Sequence, residues 1–196
     1  MEPIGDERCK GLWMDEAEAV DRAKAGDIDA YEWLVREYSA AAVRLATAVC
    51  GSAVDAEDVA QEAFLKAFYA LNRFRANDAL RPWLLRIVAN EAKNQRRSAG
   101  RRTALVARTA NLGAASIPSP EELVVADGDA RAVLTALASL GERDRVVISY
   151  RYFAGLSELE MAAALGCRPG TVKSRLARAL GRLRPALAQI GVGADD

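Results

Sequence analysis

The sequence predicts an all-α protein of two small helical domains joined by a flexible linker, and three observations carry that prediction. Nearly every periodic stretch of the 196 residues repeats its apolar side chains at helical spacing and is rich in Ala, Leu, Arg and Glu, with hardly any strand-like alternation. Glycines and capping residues cut the chain into pieces of helical length. A run of small residues with a glycine and two prolines, TANLGAASIPSP from Thr109 to Pro120, has little to bury and reads as a linker.

Taken in order, the first domain spans residues 12–108, after an extension, residues 1–11, that reads as disordered. Its helices run from about Asp15 to Ala25, Asp27 to Val49, Ala53 to Leu71 and Arg81 to Arg102, with the polar loop FRANDALRP before the last. The linker covers 109–118, and the second domain 119–190. That domain opens on a capping box, Ser119 with Pro120 at the first helical position and Glu122 at the third, and its first helix ends near Gly141. A helix follows from Glu142 to Phe153. Ser157 and Glu160 then repeat the capping box and start a short helix that stops at Gly166. After the turn comes a last amphipathic helix, which Pro185 ends or kinks, and a tail, 191–196.

Composition excludes several classes of function. No histidine occurs, which removes Ser-His and Cys-His pairs, His-ligated metals and the commonest general base. Cys9, Cys50 and Cys167 have neither disulfide-framework nor zinc spacing, and no phosphate-binding glycine loop appears. No enzymatic activity, cofactor or metal is expected. The N-terminus lacks a basic segment followed by an apolar run, and no apolar stretch approaches the roughly 20 residues a bilayer needs. A cytoplasmic protein without membrane insertion is therefore expected.

The net charge of zero conceals a segregation: residues 1–80 carry −7, 81–112 carry +7, 113–170 carry −3 and 171–196 carry +3. Two basic blocks, each after an acidic one, suggest two places to meet a polyanion.

The second basic block lies in a helix-turn-helix pattern. Arg168, Lys173, Arg175 and Arg178 fall within eleven residues just after Gly166. Advancing 100° per residue, Val172, Leu176, Ala179, Leu180, Leu183 and Leu187 share one arc, while Thr171, Ser174, Arg175, Arg178 and Arg182 share another, with Lys173 on its flank. Cations and hydroxyls opposite a complete apolar face suit a helix that enters the major groove. The alternative is a surface helix whose arginines are only solvated; the capped helix and tight turn before it favour the groove reader.

The first basic block makes a different face. On the helix from Arg81, Leu84, Leu85, Val88 and Ala92 form the core arc, and Trp83, Arg86, Asn90, Lys93, Asn94, Arg97 and Arg101 the other. An aromatic and two amides among cations suit unstacked, single-stranded bases better than a closed duplex. Trp83, directly after Pro82, reads equally well as a core residue. On the helix before it, Val59, Ala63, Phe64, Ala67, Phe68 and Leu71 form the core arc. Asp58, Gln61, Glu62, Leu65 and Tyr69 form an acidic face with two apolar anchors, as an interface to a basic protein has.

Three segments, DAEDVAQEAFLKAF, LRPWLLRIVANEAKNQRR and LSELEMAAALGCRPGTVKSRLARAL, resemble in order and spacing the extracytoplasmic-function (ECF, group 4) sigma factors of bacterial RNA polymerase, in the sigma-70 family. The resemblance covers both domains, and the three segments together are more specific than any one. It implies that the first domain is sigma region 2, which binds the clamp helices of the polymerase β′ subunit and melts the −10 promoter element. It implies that the second is sigma region 4, which reads the −35 element as duplex while resting on the β flap. By position, Asp58, Gln61 and Glu62 would face the clamp helices. Asn90, Lys93, Asn94 and Arg97, with the loop before Trp83, would hold the melted strand, and Lys173, Ser174, Arg175 and Arg178 would contact the −35 groove. Core RNA polymerase, promoter DNA and an anti-sigma factor are the implied partners. The competing reading is a stand-alone helix-turn-helix regulator that binds an operator by itself.

Overall fold

The computed structural model describes residues 14–75, 79–109 and 128–190, and these form eight α-helices and no strand. The helices are α1 (Glu16–Lys24), α2 (Ile28–Cys50), α3 (Ala53–Ala70), α4 (Leu80–Thr109), α5 (Gly128–Ser139), α6 (Glu142–Tyr152), α7 (Glu158–Leu165) and α8 (Pro169–Ile190). A 3₁₀ turn, Leu71–Arg73, follows α3. The all-α expectation holds. The expected capping box at Ser119, the extension 1–11 and the tail lie outside the described residues.

Local chemistry sets the helix ends. The Asp15, Asp27 and Ser52 side chains accept the N–H groups of Glu18, Ala30 and Asp55 at 2.8, 3.1 and 3.2 Å, each supplying one of the partners a first turn lacks. Gly51 and Gly166 close α2 and α7 in the left-handed conformation, φ 83° and 61°, where a side chain is strained. The Ser157–Glu160 capping box is complete. Two expectations are corrected. Helix α4 runs to Thr109, seven residues beyond Arg102, because nothing in that stretch breaks a helix. Helix α8 does not end at Pro185 but runs through it to Ile190; proline forfeits one hydrogen bond near the end of a helix whose apolar face, Leu183 and then Ala186 and Leu187, still packs.

Helices α2, α3 and α4 pack around a seam of buried alanines, among them Ala42, Ala46, Ala60, Ala63, Ala89 and Ala92, whose small side chains let the helices approach closely. Leu45, Val49, Leu85 and Val88 fill the space between. In the second half α5, α6 and α8 enclose Leu134, Leu137, Ile148, Ala179 and Leu183.

The two halves are packed on one another. Helix α6 is buried from Arg145 to Tyr150: Ile148 joins the second cluster, while Val146, Val147 and Tyr150 join the larger core that α1–α4 share with Leu156, Met161 and Val172 of the second half. Around this apolar seam, arginines of the first half reach helix C-termini of the second, where carbonyls lack partners and the helix dipole favours a cation. Arg44 donates to the Phe153 carbonyl at 3.0 Å, Arg81 to Ala154 at 2.7 Å, and Arg96 to Ala138 at 2.9 Å. In return Arg145, 4% exposed, donates to the carbonyls of Leu137 and Leu140 at the end of α5 and to Val49 at the end of α2. Its burial, and next the Arg96 charge beside it, pull its pKa down to about 10. Two ion pairs complete the seam, Arg81–Glu160 at 3.1 Å and a bidentate Arg97–Glu142 at 2.8 and 3.0 Å. Burial alone would raise the Glu160 carboxyl, but the Ser157 N–H and hydroxyl and the Arg81 charge outweigh it and hold the group below its ordinary value.

Candidate nucleic-acid interface

On α3 all five residues of the acidic face are exposed: Asp58, Gln61, Glu62, Leu65 (49%) and Tyr69 (73%). Glu62 is paired with Lys66 at 3.2 Å, and Lys66 reaches Glu91 on α4 at 2.6 Å. Phe68, expected in the core, is 38% exposed and stands between Tyr31 and Tyr69 in edge-to-face contact, with ring centroids 4.9 and 5.8 Å away. The face therefore has three apolar anchors. Helical phase alone did not separate Phe68, at the border of the core arc, from the buried Phe64.

On α4 the residues that share an arc divide between two grooves. Asn94 and Arg101 turn toward α3 and, with Asp58, Glu62, Glu91, Gln95 and Ser98, line a groove of about 500 Å³. Lys93 turns the other way, toward the second half, and Arg97 is paired there with Glu142. Arg86 and Asn90 are exposed between them. Trp83 is half buried, its ring tilted against Phe74 at 5.1 Å, and packs on the core of the first half. Lys24 sits over the other partner of that pair, 5.4 Å from the Phe74 ring, and donates to the Phe74 carbonyl at 2.9 Å.

On α8 the apolar arc is inward and the polar arc outward: Val172, Ala179 and Leu183 are buried, while Arg168, Lys173, Ser174, Arg175 and Arg178 are exposed and Thr171 is half buried. Gly166 turns the chain between α7 and α8, so that the N-terminal half of α8 packs through Val172 and Leu176 while its polar arc faces outward. The Ser174 hydroxyl donates to the Thr171 carbonyl at 3.1 Å, and the Arg178 guanidinium to the Ser174 carbonyl at 3.1 Å. Lys173 lies 3.7 Å from Glu158, and Arg182 is paired with Asp144 at 2.5 Å.

The structure adds a relation that spacing does not show. Lys93 of α4 and Arg175, Arg178 and Arg182 of α8 line one cleft of about 640 Å³ with Glu142, Arg143 and Asp144 of α6. The two cationic faces, some 80 residues apart in the chain, thus border the same space. Chemically the arrangement offers charge, amides and aromatic contact. No group of three or more potential metal ligands occurs among the described residues, and none of their helices is long and apolar enough to cross a membrane.

Residues 34–102 match the protein family Sigma-70 region 2, and residues 130–183 match Sigma-70 region 4. The chain is 38% identical to the ECF RNA polymerase sigma-E factor of Escherichia coli (strain K12) over 168 residues, 82% of this chain and 87% of that one. It is 36% identical to the RNA polymerase sigma-H factor of Pseudomonas aeruginosa over 176 residues, 86% and 91% of the two chains. Among solved structures it resembles CnrH in complex with the cytosolic domain of CnrY, with a TM-score of 0.65, 26% identity, and 89% and 97% of the chains covered. It also resembles the sigma factor RpoE in complex with the anti-sigma factor NepR from Bartonella quintana, with a TM-score of 0.58, 27% identity, and 79% and 96% covered.

Proposed function

The chain belongs to the sigma-70 family, among the ECF RNA polymerase sigma factors, and from that premise we propose how its three helix faces divide the work of promoter-directed initiation. Residues 12–108 act as region 2 and 119–190 as region 4. The acidic and aromatic face of α3, Asp58, Gln61, Glu62, Leu65, Phe68 and Tyr69, takes the clamp helices of the polymerase β′ subunit. The face of α4, Arg86, Asn90, Lys93, Asn94 and Arg97, holds the melted −10 strand, with Trp83 supporting the loop at its start from the protein side. The face of α8, Arg168, Thr171, Lys173, Ser174, Arg175 and Arg178, reads the −35 duplex while region 4 rests on the β flap.

The observation that carries this assignment is the adjacency of the α3 and α4 faces. An exposed acidic surface with aromatic anchors borders an exposed surface of amides and cations, and both flank the groove that runs from Asp58 to Arg101. A partner protein and an unstacked strand can be held side by side there. A stand-alone helix-turn-helix regulator has no use for such a pair, and matches to both sigma regions set that reading aside.

Affinity in this scheme comes largely from cation–phosphate contacts and falls with salt; specificity comes from a few base contacts on α4 and α8 and from the spacing of the two elements. Opening the −10 duplex costs a few kcal/mol per unstacked base, offset by stacking and amide hydrogen bonds to the extruded strand. An anti-sigma factor is a further proposed partner, supported by the two solved relatives, one bound to the cytosolic domain of CnrY and one to the anti-sigma factor NepR.

The test mixes the chain with core RNA polymerase and a library of promoter fragments and scores initiated transcripts. Initiation from a defined set of promoters is expected, and the double variant Asp58→Arg, Glu62→Arg abolishes it with the helical circular dichroism unchanged. Undiminished initiation by that variant removes the α3 assignment.

A further inference from the structure

The cleft between α4, α6 and α8 has a composition that its ion pairs leave unbalanced. Its two carboxylates are each taken: Glu142 by the bidentate Arg97, and Asp144 by Arg182. Lys93, Arg143, Arg175 and Arg178, drawn from three helices and both halves of the chain, also line it, and none of the four has a carboxylate partner among the described residues. Packing the halves together thus gathers four cations around one recess, where they repel one another at shorter range than in an extended chain. One wall is apolar, formed by the buried Val146 and Val147 and the half-buried Leu165. At about 640 Å³ the space is the size of a small-molecule site and holds one compact ligand.

We propose that this cleft binds a compact polyphosphate anion, which bridges the two halves and holds them packed together. Phosphate oxygens suit the arrangement because several negative charges on one short chain can meet Lys93 from one side and Arg143, Arg175 and Arg178 from the other; arginine forks pair with phosphate bidentately. A nucleotide and an inorganic polyphosphate share this chemistry, and the half-buried Leu165 gives a nucleobase an apolar contact. The ligand engages α4 and α8 together, so it binds the packed arrangement and shifts the population toward it by mass action. It also occupies Lys93, Arg175 and Arg178, so on the DNA roles proposed above it competes with DNA. The site stands on the cleft geometry, independently of the promoter-reading roles assigned to the same side chains.

The experiment titrates the full chain with metal-free inorganic tripolyphosphate and, separately, with a nucleoside triphosphate, by calorimetry at fixed ionic strength. One-site binding is expected, at least tenfold weaker in Lys93→Ala and in Arg143→Ala and unchanged in Arg184→Ala, an exposed arginine of α8 that does not line the cleft. Arg81→Ala, which loosens the seam without touching the cleft, also weakens binding, because the ligand needs both halves. Equal affinity for the two probes makes the phosphate chain the whole of what is recognised, and tighter nucleotide binding adds an apolar contact at Leu165; either supports the site. No binding by either probe at millimolar concentration, or an equal loss in Arg184→Ala, overturns it.

Discussion

Replacing Arg81 by alanine cuts the seam between the two halves at its best-defined point. The guanidinium donates to the Ala154 carbonyl at 2.7 Å and the Gly155 carbonyl at 3.5 Å, and pairs with Glu160 at 3.1 Å, with the two side chains 33% and 25% exposed. The short charged bond to Ala154 is worth about 1.5–3 kcal/mol, since its loss leaves a helix-terminal carbonyl without a partner. The 3.5 Å contact is at the limit of a hydrogen bond and adds little. The ion pair, partly open to water, adds roughly 0.5–1 kcal/mol. Together about 2–4 kcal/mol of packing free energy is lost, which lowers the ratio of packed to separated arrangements by roughly 30- to 700-fold. Native-state hydrogen exchange reads this directly, because amides of α6 and α7 that are shielded by the first half exchange through its separation. Their exchange is expected to accelerate by that factor, while the amides of α3 keep their rates. The control Glu160→Gln removes the ion pair but keeps both carbonyl bonds, and speeds exchange only severalfold. Acceleration of threefold or less in Arg81→Ala would refute the reasoning and leave the seam to the apolar contacts of α6 and to the bonds of Arg44, Arg96, Arg97 and Arg145.

Three further perturbations test other parts of the structure. Ser149 is fully buried and its hydroxyl has no hydrogen-bond partner among the described residues, so Ser149→Ala removes an unmet polar group and raises Tm by about 2–4 °C in a calorimetric scan, near 1 kcal/mol. Gly51→Ala forces a side chain into φ 83° and sets its Cβ 3.0 Å from Nη1 of Arg96, which must shift by a few tenths of an ångström against its bond to the Cys50 carbonyl; thermal unfolding is expected to show a loss of about 1–2 kcal/mol, mostly from the backbone. Phe68→Ala, at a half-open aromatic cluster, lowers affinity for core RNA polymerase by about tenfold in a binding titration, with a smaller effect on stability than Phe64→Ala in the core beside it.

What the sequence shows and what it hides divide along one physical line. Capping at Asp15, Asp27, Ser52 and Ser157 and termination at Gly51 and Gly166 are local chemistry, and the helices they bound are legible from the residues. So is the inward arc of α8, because a period of 3.6 fixes which side chains share a face. Phase fails where a residue sits at an arc's edge: it placed Phe68 with the core, although Tyr31 of α2 holds it at the surface. Packing between the halves is not local at all. Its one sequence signal is Val146, Val147, Ile148 and Tyr150, apolar side chains that fall on more than one side of a single helix and so need cover from more than one direction. A bundle formed by α5, α7 and α8 alone covers Ile148 but leaves Val146, Val147 and Tyr150 to the first half.

On the proposed assignment of the basic faces, that packing also bears on DNA binding, through the chemistry arginine shares among its partners. The guanidinium that pairs with a phosphate also pairs with a carboxylate or a helix C-terminal carbonyl, with the same fork and the same charge. In the packed chain Arg97 holds Glu142 in the bidentate geometry a phosphate would take, and Arg182 holds Asp144. On the assignment proposed above, each pair must be broken before DNA can use that cation, and the acids of α6 would compete with DNA for the two basic faces. Replacing Glu142 by Gln removes the competitor's charge and leaves the helix intact. Duplex or single-strand binding by the free protein is then expected to strengthen severalfold at low salt. The difference from wild type shrinks as salt rises, since screening weakens the internal pair and the phosphate contact together. Unchanged affinity across the salt series would mean that Arg97 takes no part in binding DNA, and the α4 face would then rest on its asparagines, Arg86 and Lys93.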